Sequence, residues 1–274
     1  MTLEEIVLDR AEGTRYRVTL ARAADPAAPV VIVAPAMGMG ARYYLPLVEA
    51  LAAAGVHGAV AEQRGHEAEG GRIPGRGYDF RYADLLEDLT GAVAAVRTEL
   101  PEAPVHLLGH SLGGQIATMY AALHPIDGLI LIASSTPYWR HWGWRLHAAG
   151  HGFPLAARLL GHFPGARVGF AGREARGVMR DWGVLARTDR FPVADDRIAD
   201  IELPLLVVSI EGDALGPTPA VEGFAARMPR ATVTRAHLDE DGVDHMRWAR
   251  RPESVVPLIA KWLGSQGPTP AATS

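Results

Sequence analysis

One stretch, residues 105–114, constrains the fold of this 274-residue chain more than any other. A buried-strand pattern runs into the sequence Gly-His-Ser-Leu-Gly, and a helical pattern follows at once over residues 115–123. The residue at the tip of so sharp a turn, Ser111, must adopt a strained backbone conformation, while the glycines on either side remove Cβ atoms that would collide where strand and helix cross. The stretch therefore predicts a serine hydroxyl exposed at the carboxyl end of a strand, with the backbone amide of Leu112 directed at whatever that hydroxyl attacks.

Strands and helices alternate along most of the chain. Apolar runs without a polar face indicate strands buried on both sides, and amphipathic patterns between them indicate helices. After an antiparallel hairpin at residues 6–9 and 16–21, the predicted strands are residues 30–34, 56–61, 105–108, 129–133, 203–210 and 231–236. This order predicts an α/β fold with a doubly wound, mostly parallel sheet and a site at the carboxyl ends of its strands.

Residues 138–190 depart from this alternation. They contain four of the six tryptophans, short helical patches, and nine arginines against three acidic residues. We expect them to form a helical lid inserted over the site, between core segments at residues 1–137 and 191–263, with a disordered tail at residues 264–274. The arginines raise the hypothesis that the lid steers an anionic acyl donor such as a CoA thioester. The alternative, which we favour, is that they lie on solvated faces of the lid helices while the tryptophans pack inward.

A serine hydroxyl needs a general base, because it is a weak nucleophile at neutral pH. If the chain order is serine, acid, histidine, the base follows the last strand, and only His237 and His245 lie late enough. His237 stands at the strand end, whereas His245 lies in a turn just before the last helix. The turn lets the ring swing in toward Ser111, so His245 is the predicted base.

The base in turn needs a carboxylate that fixes its tautomer and stabilises its charged form. No carboxylate follows the strand at residues 129–133 before Glu174, so that location is empty. The loop after residues 203–210 contains Asp213, which is the predicted acid. Glu211 is the alternative, because the end of a predicted strand can be shifted by two residues.

The loop after the strand at residues 30–34 should supply a second amide for the oxyanion, beside that of Leu112. Pro35 has no N–H, so the amide of Met37 is the best candidate. The chain has no cysteine, which excludes a thiolate nucleophile and a cysteine-ligated metal. We expect no metal and no cofactor.

With these residues in place, the chain resembles the α/β-hydrolase superfamily over nearly its whole length. The matching landmarks are Gly-His-Ser-Leu-Gly-Gly at 109–114, Arg-Gly-His at 64–66, the 213–217 spacing, and His245 followed by Arg-Pro-Glu at 251–253. It is more closely similar to bacterial predicted α/β-hydrolases of the serine-aminopeptidase-like and monoacylglycerol-lipase-like branch, on residues 34–38, 138–142, 163–165 and 178–182. One departure is that many members carry His-Gly where this chain has Pro35-Ala36. The resemblance implies the α/β-hydrolase fold and a Ser-His-Asp triad.

These observations predict a serine hydrolase that cleaves an ester, thioester or related small-molecule acyl compound through an acyl-enzyme. An esterase, thioesterase or lipase-like activity fits best. The near alternative is an acyltransferase with the same triad, and the alternative of another class is a non-catalytic binding protein on this fold. The predicted substrate-binding residues on the lid are Tyr138, Trp139, Arg140 and Trp142.

Charge and hydropathy bear on partners and location. A net charge of -4 gives no reason to expect nucleic-acid binding. No apolar run approaches the length of a membrane span, and the first residues are acidic where a secretory signal would be basic. We therefore expect a cytoplasmic protein, and the sequence does not indicate its oligomeric state.

Overall fold

The computed structural model describes residues 2–266, so most of the tail expected at residues 264–274 lies outside the described part. The strands are β1 (Leu3–Asp9), β2 (Arg15–Ala21), β3 (Val30–Ala34), β4 (His57–Ala61), β5 (Val105–His110), β6 (Gly128–Ile132), β7 (Phe163–Pro164), β8 (Arg173–Glu174), β9 (Pro204–Ile210) and β10 (Thr232–Leu238). The helices are α1 (Leu45–Ala53), α2 (Tyr82–Glu99), α3 (Leu112–Leu123), α4 (Trp139–Trp142), α5 (Trp144–Leu160), α6 (Arg176–Thr188), α7 (Thr218–Ala225) and α8 (Pro252–Gly264). Within residues 2–266, no helix combines the length and apolar composition that crossing a membrane requires.

Eight strands form one sheet in the order β1-β2-β4-β3-β5-β6-β9-β10. Within this sheet, β2 pairs antiparallel with β1 and with β4, and the remaining pairings, from β4 across to β10, are parallel. β7 and β8 pair antiparallel in a separate two-stranded sheet. The predicted α/β fold with a mostly parallel sheet is confirmed. Because β5 lies between β3 and β6, and parallel strands end at one edge, Ser111 emerges beside the loops that follow those two strands.

Helices cover both faces of the sheet. α1 and α8 pack on one face, where the core includes Leu47, Leu51, Val255, Ile259 and Trp262. α2, α3 and α6 contribute to the core on the other face. Apolar side chains of β3 and β5 alternate between these two cores, as the two-residue period of a strand requires. This is the doubly wound arrangement.

The ends of the elements differ from the sequence predictions by up to three residues. The clearest case is Ala133, which the apolar run placed at the end of a strand. Its φ of 48° lies in the left-handed region, so β6 ends at Ile132. A residue in that conformation cannot continue the extended backbone of a strand.

A buried carboxylate ties the segment between β6 and β9 to the rest of the core. Asp181 on α6 is buried and accepts hydrogen bonds from the Arg81 guanidinium, at 2.8 Å, and from the Tyr82 amide, at 3.2 Å. These donors stand at the N-terminus of α2, where the helix dipole favours a negative charge. α6 is thus anchored to a helix of the main layer.

Replacing Gly113 by alanine tests the close crossing of α3 over β3. A Cβ at this position would overlap the carbonyl oxygen of Ala34, so we expect Gly113→Ala to lower the free energy of unfolding by about 2–3 kcal/mol. Gly152 on α5 is the matched control, because a Cβ there would meet nothing within 4 Å. Gly152→Ala should raise stability by up to about 1 kcal/mol through helix propensity. Urea denaturation followed by circular dichroism measures the free energy of unfolding of both variants. Equal values for Gly113→Ala and Gly152→Ala would contradict the expectation.

Candidate active site

The turn between β5 and α3 holds Ser111 in a strained conformation, with φ 52° and ψ -116°. A Cβ at Gly109 would overlap Gly114, and one at Gly113 would overlap the Ala34 carbonyl. The glycines are therefore required by backbone contact, as the sequence predicted. Ser134 fixes the turn from the neighbouring strand end, since its hydroxyl donates to the Ser111 carbonyl at 2.8 Å.

Two residues that the sequence singled out meet in a buried hydrogen bond. The ring Nδ1 of His245 lies 2.7 Å from Oδ2 of Asp213, and both side chains are buried. The other carboxylate oxygen of Asp213 accepts from the amides of Leu215 and Gly216 at 2.8 and 2.9 Å. Since a carboxylate only accepts, Nδ1 carries the proton and donates it to Asp213. In the neutral imidazole with this tautomer, Nε2 of His245 is the nitrogen that can accept a proton.

The alternatives considered for the base and the acid pair with each other instead. Nε2 of His237 lies 3.1 Å from a carboxylate oxygen of Glu211, and both side chains are largely exposed. Nδ1 of His237 is hydrogen-bonded to the Ser209 hydroxyl across the parallel pair β9–β10. Strand register therefore holds His237 and Glu211 together, separate from the pair of His245 and Asp213.

Between Pro35 and Met39, the first part of the loop after β3, one amide of the described residues lacks an acceptor. Ala36 N–H donates to Tyr44 Oη at 2.9 Å, Gly38 N–H to Gln63 Oε1 at 3.2 Å, and Met39 N–H to the Ala36 carbonyl at 3.1 Å. Among the described residues, the Met37 amide has no hydrogen-bond acceptor. Leu112 is the first residue of α3, where helix amides have no partner within the helix. Met37 and Leu112 line the same cavity as Ser111.

This cavity has a volume of about 440 Å³ and is also lined by His245. Much of its wall comes from the segment between β6 and β9, through Trp142, Leu146, Ala149, Phe153, Phe170, Ala171 and Trp182. The polar side chains on the wall are those of Ser111, Gln115, Ser135 and His245. Gln115 is already engaged, because it donates to the Ser135 carbonyl and accepts from Tyr82. No carboxylate, guanidinium or ammonium group of the described residues lines the cavity.

Of the four residues predicted to bind substrate, the structure brings only Trp142 to the cavity wall. Tyr138, Trp139 and Arg140 do not line it, and Arg140 is exposed, with its guanidinium over the Trp139 ring. α4 is a single turn, so its consecutive side chains point in different directions.

The prediction of substrate-binding residues missed Phe153, Phe170 and Trp182, whose ring centroids lie within 5.7 Å of one another. Their aromatic character was the available signal, but their common direction depends on how α5, α6 and the connection between these helices pack.

The arginines of residues 138–190 are also absent from the cavity wall. Arg140 and Arg145 are exposed. Arg187 donates to the carbonyl of Gly150, and Arg173 to that of Pro74. The described geometry favours arginines on outer faces over a cationic binding site.

Histidines at a spacing known from metal sites occur twice in the chain. His147 and His151 lie four residues apart on α5, with ring centroids 5.2 Å apart, and His106 and His110 have the same spacing on β5. Within residues 2–266, no group of three or more histidine, aspartate or glutamate side chains could hold a metal ion.

Comparisons with known proteins agree with this architecture. The family described as serine aminopeptidase, S33, matches residues 25–194. A curated relative, the putative carbamate hydrolase RutD of Agrobacterium fabrum, is 28% identical over 231 residues, which cover 76% of this chain and 84% of that protein.

Solved structures match the whole fold. A soluble variant of monoglyceride lipase from Saccharomyces cerevisiae has a TM-score of 0.74 at 16% identity, over 98% of this chain and 97% of that one. The α/β hydrolase GrgF from Penicillium has a TM-score of 0.67 at 17% identity, over 97% of this chain and 99% of that one. Likeness at such identities concerns the fold, and the fold is that of the α/β-hydrolases.

Replacing Ser111 in two ways measures the strain at the turn. Ser111→Gly and Ser111→Ala both remove the hydroxyl, but only glycine adopts a positive φ without cost. We expect the glycine variant to be more stable than the alanine variant by about 1–3 kcal/mol in urea denaturation. Equal stabilities would mean that the turn stores no backbone strain.

Proposed function

Because this chain belongs to the serine aminopeptidase S33 family and is an α/β-hydrolase, we propose that it is a serine hydrolase that cleaves esters or thioesters of uncharged, apolar acyl groups. One observation carries the proposal. Strained Ser111 and His245, whose Nδ1 is bound to Asp213, line one apolar cavity. That combination supports an activated serine facing a binding site for an acyl chain.

In the proposed reaction, Nε2 of His245 accepts the proton of the Ser111 hydroxyl as Oγ attacks the substrate carbonyl. Asp213 holds the ring in this tautomer and stabilises the imidazolium that forms. The tetrahedral intermediate collapses, and the alcohol or thiol leaves with the proton from His245. Water, deprotonated by the same Nε2, then hydrolyses the acyl-enzyme and regenerates Ser111.

The oxyanion of the tetrahedral intermediate would be held by the amides of Met37 and Leu112. The Met37 amide has no acceptor among the described residues, and the Leu112 amide stands at the start of α3. Both residues line the cavity. The departure at Pro35-Ala36 leaves this pair intact, because the amide of Ala36 is engaged by Tyr44 and that of Met37 is not. Preorganised donors of this kind stabilise charge that develops in the transition state.

No carboxylate, guanidinium or ammonium group of the described residues lines the cavity of Ser111, and we call this lining the uncharged wall. It favours neutral acyl substrates over peptides with a free amino terminus. An aminopeptidase would need a carboxylate for the substrate ammonium group, because burying an unpaired charge is costly. None of the described carboxylates lines the cavity. We further propose that residues 138–190 act as a lid, since their apolar side chains form much of the wall that would exclude water from the acyl group.

Labelling with a fluorophosphonate, read by intact mass, tests the activated serine. We expect one adduct on the wild type and none on Ser111→Ala. Asp213→Asn should label at least about 100-fold more slowly, because His245 loses the acceptor that fixes its tautomer. Glu211→Gln is the matched control, since Glu211 contacts His237, and it should label like the wild type.

An unlabelled wild type would overturn the proposed function in favour of a binding protein. Slow labelling of Glu211→Gln together with normal labelling of Asp213→Asn would overturn the assignment of the acid.

A pair of p-nitrophenyl esters tests the uncharged wall. Butyryl and succinyl esters have acyl chains of similar length, but the succinyl group ends in a carboxylate. We expect kcat/KM to be at least about 100-fold higher for the butyryl ester, because no guanidinium or ammonium group of residues 2–266 lines the cavity to pair with the buried charge. Preference for the succinyl ester would restore the hypothesis of an anionic acyl donor.

A further inference from the structure

Two adjacent tyrosines contact all three backbone segments of the proposed site. Tyr43 and Tyr44 end a short 3₁₀ helix, Ala41–Tyr44, that precedes α1. We propose that Tyr44 and His110 are positioning residues that hold the loop after β3 against the turn of Ser111, and that Tyr43 does the same for the loop of His245. This inference rests on the proposed function, because it concerns how the reacting groups are aligned.

A chain of two hydrogen bonds joins the loop after β3 to the turn. The amide of Ala36 donates to Tyr44 Oη at 2.9 Å, and the same oxygen lies 2.8 Å from Nδ1 of His110. Tyr44 and His110 are both fully buried. The Tyr44 hydroxyl has one proton, and among the described residues the only acceptor within its reach is Nδ1 of His110, because the Ala36 amide can only donate. The hydroxyl therefore donates to Nδ1, and the ring proton of neutral His110 is on Nε2.

The side chains of Tyr44 and His110 both stay neutral. Burial raises the pKa of Tyr44 well above its usual range. Burial also lowers the pKa of His110 well below its usual range, and the neighbouring His245 lowers it further. The rings of His110 and His245 have centroids 5.1 Å apart, and Trp248 packs on His110 at 5.0 Å. His110 thus fills the space behind His245 without placing a second positive charge beside it when His245 accepts the serine proton.

The hydrogen-bond chain through Tyr44 ends at Ala36 and at His110, and the sequence neighbours of these two residues give it its role. Ala36 directly precedes Met37, and His110 directly precedes Ser111. One phenol hydroxyl therefore sets the separation between the proposed nucleophile and the proposed oxyanion donor, which follow different strands. Tyr43 Oη donates to the carbonyl of Met246 at 3.0 Å, next to His245. A displacement of about 1 Å between reacting groups can cost about 100-fold in rate.

The test is Tyr44→Phe, which removes only the hydroxyl. With the butyryl ester we expect kcat to fall about 10- to 100-fold and KM to stay within about twofold, because alignment matters most in the transition state. Affinity for a trifluoromethyl ketone analogue should fall by the same factor as kcat/KM. Tyr120→Phe is the matched control, since Tyr120 is buried on α3 and packs on His124, and its kinetics should match the wild type.

His110 and Tyr43 are tested in the same assay. His110→Asn keeps an acceptor for the Tyr44 hydroxyl and should retain more of kcat than His110→Leu, which has none. Tyr43→Phe should also lower kcat with little change in KM.

The outcomes separate this inference from the proposed function. A labelled wild type with Tyr44→Phe unchanged in kcat and in ketone affinity overturns the positioning role alone. A loss of unfolding free energy in Tyr44→Phe with unchanged ketone affinity also overturns it, because the hydroxyl would then be only structural. A wild type that does not react with the fluorophosphonate overturns the proposed function and this role together.

Discussion

The crossing of α3 over the ends of β3 and β5 is the contact on which the rest of the site depends. Backbone meets backbone there, since Gly113 lies against the Ala34 carbonyl and Gly109 against Gly114. This close packing holds Ser111 at a positive φ and brings the start of α3 beside the loop that follows β3. Ser111, Leu112 and Met37 therefore line the same cavity.

Among the described residues of the site, the ionisable side chains of Asp213 and His245 form one buried pair. Asp213 accepts from His245 and from two amides, so neither of its oxygens faces the cavity without a donor. The cavity wall carries aromatic and aliphatic groups, and the arginines of residues 138–190 are not part of it. In such a setting the hydrogen bonds of the proposed mechanism are stronger than in water, and the same setting disfavours a charged acyl group.

The segment between β6 and β9 has two parts with different attachments. α6 carries Asp181, whose hydrogen bonds to Arg81 and Tyr82 fix it to α2, and its Val178 and Met179 belong to the main core. α5 packs on α6 and presents Leu146, Ala149 and Phe153 to the cavity. A proposed lid would therefore move at α4 and α5 more easily than at α6, because α6 would have to break buried hydrogen bonds.

The sequence by itself determined the sheet, the strained turn and the candidates Ser111, His245 and Asp213, because strand periodicity, glycine spacing and chain order are local or sequential properties. It also indicated Met37 by excluding Pro35. Only the tertiary structure decided that Asp213 rather than Glu211 meets His245, since strand register pairs Glu211 with His237. It likewise decided that Trp142 reaches the cavity while Tyr138, Trp139 and Arg140 do not. The contact of Tyr44 with His110 joins residues 66 positions apart, and no local pattern encodes it, because it forms only when the sheet brings the two segments together.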